Sequence, residues 1–298
     1  MRVFLTGGSG YVGSAVLDAL LRGGHHVDVL VRNGEAAARV QTRGGHPLLG
    51  DLSNRASWRD AAAAADGAIH AAVEYGPRHI ELDAGAIDAL TSLPSKPARF
   101  LIYTSDIWVL GPAPNPVDET APVNPIDIVS WRPAHEQRVL AAAKAGIRAL
   151  VVRPGIVYGG ARGIVGDLLK DAANSLVRIV GTGENHWPLI YDRDLGELYA
   201  RLVATPDASG VYHATDGGAE TVTEIVAALA DHAPTQPSFR HVPLDEARKK
   251  MGPYADALAL DQIVRSPRAR ALGWSPTLHS VSGNAARLFE EWRRGKAA

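Results

Sequence analysis

Glycines at positions 7, 10 and 13 punctuate the segment TGGSGYVG, which runs from Thr6 to Gly13. The segment follows a short apolar run, Val3–Thr6, and precedes an amphipathic stretch that begins near residue 11. A strand that turns through glycines into a helix builds an anion site. Glycine permits the tight turn and removes the Cβ that would block a pyrophosphate. The helix start adds unpaired N–H groups and the positive end of its dipole. Gly7, Ser9, Gly10, Tyr11, Val12 and Gly13 are the expected cradle. The second apolar run ends at Val31 and is followed by Arg32. An acid at this place would take the ribose hydroxyls of NAD, whereas an arginine accommodates a 2′-phosphate. The expected cofactor is therefore NADP(H). Asp28 falls inside the strand and is no substitute. Asp51 and Leu52 follow the third run, where a carboxylate can accept from an adenine amino group. Ala71 and Ala72 bring small side chains to the end of the fourth, and Thr104 and Pro154 complete the expected cofactor contacts. His70 reads as a packed strand residue without a chemical role.

The elements that must position these groups alternate along the first half of the chain. Val3–Thr6, Val27–Val31, Pro47–Leu49, Ala68–Ala72, Phe100–Thr104 and Leu150–Val152 read as strands. Helical spacing lies between them at about 11–24, 34–43, 54–65, 78–92 and 129–145. Such alternation predicts an α/β fold, a parallel sheet covered on both faces. Ligands of such sheets bind at the carboxyl edge. There Glu74, Tyr75 and Tyr158 follow strands, and the Tyr158 phenol could donate a proton. The stretch 111–126, GPAPNPVDETAPVNPI, holds five prolines and is neither helix nor central strand. After residue 159 the spacing predicts helices near 163–174, 192–204 and 221–232, and extended pieces at 176–180 and 210–214. A short helix in SPRARALGWSPT stops at Gly273 and Pro276. The expected division is a larger domain over 1–158, with about 186–215 returning to it, and a smaller lobe over about 159–185 and 216–298.

Composition excludes several kinds of chemistry. The chain of 298 residues has no cysteine, which removes disulfides, thiol nucleophiles and zinc–thiolate sites. Its 11 histidines are scattered without HxxxH or HExxH spacing, so no metal site is expected. No nucleophile elbow of the GxSxG type occurs. A formal net charge of −1 argues against general attraction to nucleic acid or membrane surfaces. No apolar run approaches the roughly 20 residues that cross a bilayer, and the N-terminus reads as a strand rather than a leader. A cytoplasmic protein acting on a small molecule is the expectation.

Six pieces together carry a family likeness: TGGSGYVG, Asp51-Leu52, His70-Ala71-Ala72, FLIYTSD, VVRPGIVYGG at 151–160, and LGWSP near the end. With them the chain resembles the extended short-chain dehydrogenase/reductases, which include epimerases and dehydratases. The resemblance implies a Rossmann core, a nicotinamide cofactor, a small C-terminal lobe closing over substrate, and pairing of two copies through the helices near 78–92 and 129–145. It also implies a Ser or Thr past the fifth strand, then a Tyr and a Lys four residues apart on the next helix. Matched residue by residue, those positions hold Asp106, Trp131 and His135. All three usual residues are replaced. Trp131 has an indole N–H that donates but does not titrate usefully. His135 can both bond a ribose and move a proton.

Two readings follow for these residues. In one, Asp106 and His135 form an acid–base couple; in the other, Asp106 caps a loop, Trp131 walls a pocket and His135 only touches the ribose. Tyr158 is a further candidate acid. Arg132 is placed to contact an anion or a carboxylate, Arg153 to brace the core, and His186 reads as structural. The leading function is NADP(H)-dependent reduction of a carbonyl, imine or activated double bond in a small molecule. A non-redox lyase, cyclase, isomerase or epimerase on the same fold, and a catalytically silent NADP-binding regulator, remain open alternatives.

Overall fold

A computed structural model describes residues 1–74, 76–94 and 96–297. The chain divides into two compact units. The first comprises Met1–Ser105, Trp131–Arg153 and Leu195–Tyr212; the second comprises Asp106–Ser130, Pro154–Asp194 and the chain from His213 onward. The proline-rich stretch thus falls in the second unit, and the segment that returns to the first is 195–212.

The first unit is built on strand–helix repeats. Its strands are β1 (Arg2–Thr6), β2 (His26–Val31), β3 (His46–Leu49), β4 (Gly67–His70) and β5 (Phe100–Thr104). Helices α1 (Tyr11–Arg22), α2 (Gly34–Thr42), α3 (Arg59–Ala64) and α4 (His79–Thr91) lie between them, and α5 (Arg132–Ala141) follows. With β7 (Arg148–Pro154) and β12 (Gly210–Ala214) the strands form a seven-stranded sheet in the order β12-β7-β5-β4-β1-β2-β3. The pairs β2–β3, β1–β2, β1–β4, β4–β5 and β5–β7 are all parallel. The order reverses between β1 and β4, the switch point at which such sheets open a crevice at their carboxyl edge.

One sheet face explains most of the packing. Phe4, Ala68, Leu101, Tyr103, Ala149 and Val151 share a core with Trp58, Ile87, Leu90 and Val139. Trp58 stacks on Phe4 with ring centroids 5.6 Å apart. Side chains two apart on a strand share a face. The same face therefore continues from Phe4 to Thr6, from Ala68 to His70 and from Leu101 to Tyr103. Register aligns these three ends, since Thr6 pairs with His70 and His70 with Tyr103. An apolar face ends in a polar row at the carboxyl edge.

The helices over that row carry matching polar groups. On α4, Leu82, Ala86, Ile87 and Leu90 are buried, and Asp83 is buried among them. On α5, Pro133 occupies the first turn, where its missing N–H costs nothing. The buried residues of this helix are His135, Glu136 and Val139. Glu136 takes two bonds from Arg153, at 2.9 and 2.5 Å, and one from Ser105 at 2.5 Å. Both charged groups are about 95% removed from solvent, with relative exposures of 3% and 5%. Arg153 braces the core, as the sequence suggested.

In the second unit, β8 (Ile156–Tyr158) pairs in parallel with β11 (Leu189–Tyr191). Its core joins α6 (Gly163–Ala173), α8 (Val222–Ala230) and α12 (Ala285–Ala297), through Leu168, Ile225 and Phe289 among others. Thr221 and Glu224 close a capping box at the start of α8. The proline-rich segment contains β6 (Ala113–Val117), which pairs only with β15 (Gln262–Val264). Two strands joined this way leave edges that proline tolerates. Small ladders also join β9 (Leu176–Val180) to β14 (Ser238–Val242) and β10 (His186–Trp187) to β13 (Glu220–Thr221). Helices α7 (Asp192–Ala204), α9 (Leu244–Met251), α10 (Tyr254–Leu258) and α11 (Pro267–Ala271) complete the order. Among the described residues no helix is long and apolar enough to cross a membrane.

Removing one member of a buried ion pair leaves the other charge desolvated, at a cost of about 3–5 kcal/mol. Glu136→Ala strands Arg153 in this way, so its urea midpoint falls well below that of the parent chain. Arg153→Met with Glu136→Leu restores most of the difference.

Candidate active site

The glycine turn between β1 and α1 is dictated first by sterics. Gly7 has φ +78°, and a Cβ there would lie 2.5 Å from the Ala71 carbonyl oxygen. A Cβ on Gly13 would lie 2.1 Å from the Gly7 oxygen. These two glycines are required by the loop itself. Gly10 differs: a Cβ on it would meet only the Gly7 oxygen, at 3.1 Å. Gly10 is the N-cap of α1, no side chain caps the helix, and no acidic residue stands in its first turn. The start of α1 thus carries neither a side-chain cap nor an acid of its own, and the missing Gly10 Cβ keeps the approach open. Those features fit a pyrophosphate. Ser9, Tyr11 and Val12, partly buried, lie in the same turn. Ala71 and Ala72 lie against it, the Ala72 N–H donating to Thr6 Oγ1 at 3.3 Å.

The end of β2 supplies a cation. Arg32 follows Val31, is exposed, and makes no ion pair among the described residues. Asn33 spends its side chain capping α2 through the Ala36 N–H, at 2.9 Å. Asp51 accepts from the Ser53 hydroxyl at 2.5 Å and its N–H at 2.8 Å. These bonds hold its carboxyl below the usual range, and the charge of Arg32 adds to them. Leu52 packs against the core of the first unit. The Thr104 hydroxyl is engaged by the Tyr199 phenol at 2.6 Å, and Pro154 is buried. Tyr75 lies outside the described residues.

Buried polar groups gather where the polar row meets α4 and α5. His135 Nδ1 lies 2.6 Å from Asp83 Oδ2. The Tyr103 hydroxyl donates to the same oxygen at 2.9 Å. His70 Nε2 lies 3.2 Å from Asp83 Oδ1, and His70 Nδ1 lies 2.6 Å from Thr6 Oγ1. Asp83, His70 and His135 have exposures of 6%, 1% and 5%, so none is solvated by bulk water. Burial opposes the Asp83 charge, but the hydrogen bond from His135, the nearness of His70 and the charge of Arg132 outweigh it. The carboxyl is held well below its ordinary value. Burial pushes the Tyr103 phenol far up, so it keeps its proton and donates it to Asp83.

Trp131 closes the top of α5. Its ring meets His135 edge-on at 4.9 Å and His79 at 5.6 Å. The Arg132 guanidinium stacks over it at 4.5 Å and donates to the Thr104 carbonyl at 3.1 Å and the Tyr103 hydroxyl at 3.3 Å. The Trp131 indole N–H is buried and has no partner among the described residues.

The other candidates belong to the second unit. Asp106 accepts from the Trp108 N–H at 2.9 Å and so caps the turn at Ile107–Leu110. The sequence offered Asp106 as the acid partner of His135; the carboxylate bonded to His135 is Asp83. Tyr158 is fully buried, with its hydroxyl 3.4 Å from Asp216 Oδ2 and its ring tilted on Tyr191 at 5.7 Å. Burial, followed by the charge of Asp216, raises this phenol far beyond neutral titration. His186 is tied to Asp261 at 2.8 Å, a structural role. No group of three or more metal-ligating side chains occurs among the described residues.

A profile of the NAD dependent epimerase/dehydratase family matches residues 3–215. The chain belongs to that family. Its extended short-chain dehydrogenase/reductase neighbours share the α/β fold. Protein C2A9.02 of Schizosaccharomyces pombe is 31% identical over 94% of this chain and 96% of its own length. A farnesyl-dihydroquinoline-oxide ketoreductase of Stigmatella aurantiaca is 35% identical over 53% of this chain and 51% of its own. The human epimerase family protein SDR39U1, solved with NADPH, superposes with TM-score 0.77 at 21% identity, covering 97% of this chain and 99% of that one. Other matching structures hold NAD together with a sugar nucleotide or its acid.

Within this short-chain dehydrogenase/reductase site, sequence reading missed Asp83 and the part played by His70. A signal existed for Asp83: it interrupts the apolar stripe 82, 86, 87 and 90 of α4 at core spacing. A buried acid at such a position needs a partner. Asp216 offers a check on burial in the second unit. Its carboxyl is pushed up to about 7, chiefly by burial. A raised folded pKa contributes stability below the unfolded value of about 3.9, lost as pH rises through the folded one. Stability therefore falls between about pH 4 and 7 from this group, and Asp216→Asn flattens that slope in thermal melts taken across the window.

Proposed function

We propose that this protein is an NADP(H)-dependent reductase acting on a carbonyl, imine or activated double bond of a small molecule. The observation that carries the reading is the start of α1, uncapped and free of acids, with the exposed, ion-pair-free Arg32 at the end of β2. One feature fits a pyrophosphate and the other a 2′-phosphate. SDR39U1 with NADPH supports this choice by likeness of fold, and the Stigmatella ketoreductase supports the reaction class.

When bound, the reduced cofactor supplies a hydride. The chain's own residues supply the rest. The start of α1 would hold the pyrophosphate, Arg32 would hold the extra phosphate, and Asp51 would accept from the adenine amino group. Asp106, Trp131 and His135 stand where the family has Ser, Tyr and Lys. Trp131 keeps its indole proton and is no acid. His135 is the group that gives the proton to the developing alkoxide or amine, because an imidazole carries a proton on either nitrogen and its Nδ1 is already held. A second reading rests on Trp131: with no titratable phenol at that position, the site would serve a non-redox or epimerase reaction, or cofactor binding alone.

Fluorescence titration with NADPH and NADH, then turnover over a panel of ketones, imines and enones, separates these readings. Net consumption of NADPH supports the reductase. Tight binding with product but no net oxidation supports the second reading. A charged hydrogen bond to phosphate is worth about 1.5–3 kcal/mol, and about 1.4 kcal/mol is tenfold in Kd. Arg32→Ala therefore weakens NADPH about ten- to hundredfold and changes NADH about twofold or less. Equal losses for both would remove Arg32 from the 2′-phosphate.

A further inference from the structure

The carboxylate of Asp83 favours one placement of the hydrogens around it. The Ala72 N–H donates to Thr6 Oγ1 at 3.3 Å and takes one of that oxygen's two lone pairs. His70 Nδ1 lies 2.6 Å from the same oxygen and accepts the Thr6 hydroxyl proton when His70 turns its own proton toward the carboxylate. A neutral His70 that accepts at Nδ1 carries its proton on Nε2, the atom 3.2 Å from Asp83 Oδ1. The other carboxylate oxygen, Oδ2, takes Tyr103 O–H at 2.9 Å and His135 Nδ1 at 2.6 Å. An ionised Asp83 has no proton to give, so His135 Nδ1 must donate. His135 Nδ1 and the Tyr103 hydroxyl are thus the hydrogen-bond donors to Asp83, while His70 Nε2 stands 3.2 Å from Oδ1 without making a hydrogen bond.

We infer that Asp83 is a positioning residue, which with His70 behind it fixes His135 as the Nδ1–H tautomer and leaves Nε2 as the nitrogen that exchanges a proton with substrate. This rests on the reductase reading for its chemistry, but not for its geometry. Tautomer choice matters because a neutral imidazole carries one proton on one of two nitrogens. Left alone, His135 would share that proton between them. Bonded to Asp83, it keeps Nδ1–H permanently and cycles only Nε2.

The step balances as follows. The carbonyl carbon takes the hydride from the reduced nicotinamide, the C=O π pair becomes an alkoxide lone pair, and the Nε2 proton moves to that oxygen. His135 returns to the neutral Nδ1–H form and regains its Nε2 proton from water. During the charged half of the cycle Asp83 faces the imidazolium as a counter-ion. Arg132 of the same helix donates to the Tyr103 hydroxyl, which in turn donates to Asp83. Among the described residues only Asp83 is hydrogen-bonded to the His135 ring. The arrangement differs in kind from a lysine at the same position, which has three equivalent protons and no tautomer to set.

The test is nitrogen NMR of the whole protein labelled with ¹⁵N-histidine, with His135 and His70 assigned through His135→Gln and His70→Gln. At pH 8 the parent chain should show His135 protonated at Nδ1 and unprotonated at Nε2, and His70 the reverse. Asp83→Asn is close in shape, and it should turn His135 into a mixture of tautomers. With NADPH and an accepted substrate, the same variant should lose at least tenfold in kcat, with KM and NADPH Kd within about threefold. An Nε2–H tautomer of His135 in the parent chain overturns the proposal, as does Asp83→Asn with unchanged spectra and kcat. If Asp83→Asn fails to fold, the parent spectrum alone decides. Absence of any NADPH turnover sinks the reductase reading and leaves the tautomer result to stand or fall separately.

Discussion

A carboxylate buried over an apolar sheet face is the constraint around which the first unit is arranged. Asp83 loses its hydration on folding, and an unpaired charge there would cost several kcal/mol. Its two oxygens are instead met by groups from three different elements: His70 from β4, Tyr103 from β5 and His135 from α5. The sheet register places two of these side by side, and the phase of α4 turns the acid toward them. The carboxylate tolerates its burial because His135 and Tyr103 both bond it, while His70 Nε2 stands close without a hydrogen bond of its own.

The glycine turn solves a different problem at the same edge of the sheet. Gly7 and Gly13 are there because backbone passes too close for any side chain. Gly10 is not crowded by the protein to that degree, and its helix start carries no cap of its own. The contrast distinguishes glycines that the turn itself demands from one that the surrounding backbone would leave room to replace.

Much of the first unit was legible in sequence because its signals are local. Strands buried on both faces read as apolar runs, and all five early strands lie where those runs lie. The helix expected at 54–65 is shorter, at Arg59–Ala64, since Trp58 turns inward and breaks the stretch behind a single 3-10 turn. The second unit was harder. Its strands β10, β13 and β15 have two or three residues each, too few for any periodicity to register. Within the candidate site, the glycine turn and Arg32 were legible because their places after β1 and β2 are set by local sequence. Asp83 was missed because its partners lie 13 residues before it and 52 after, a distance that only the folded sheet closes.

Neighbouring residues of α5 are tethered in different directions. His135 is held by an acid of α4, and Glu136, about 100° further round the helix axis, by an arginine of β7. Two moorings at that angle lock the rotation of the helix, for any roll that relaxed one would stretch the other. The side chain one turn earlier, Trp131, inherits a fixed azimuth. An aromatic phenol could enter that place by replacement at 131, but never by a sliding of the helix that carries it.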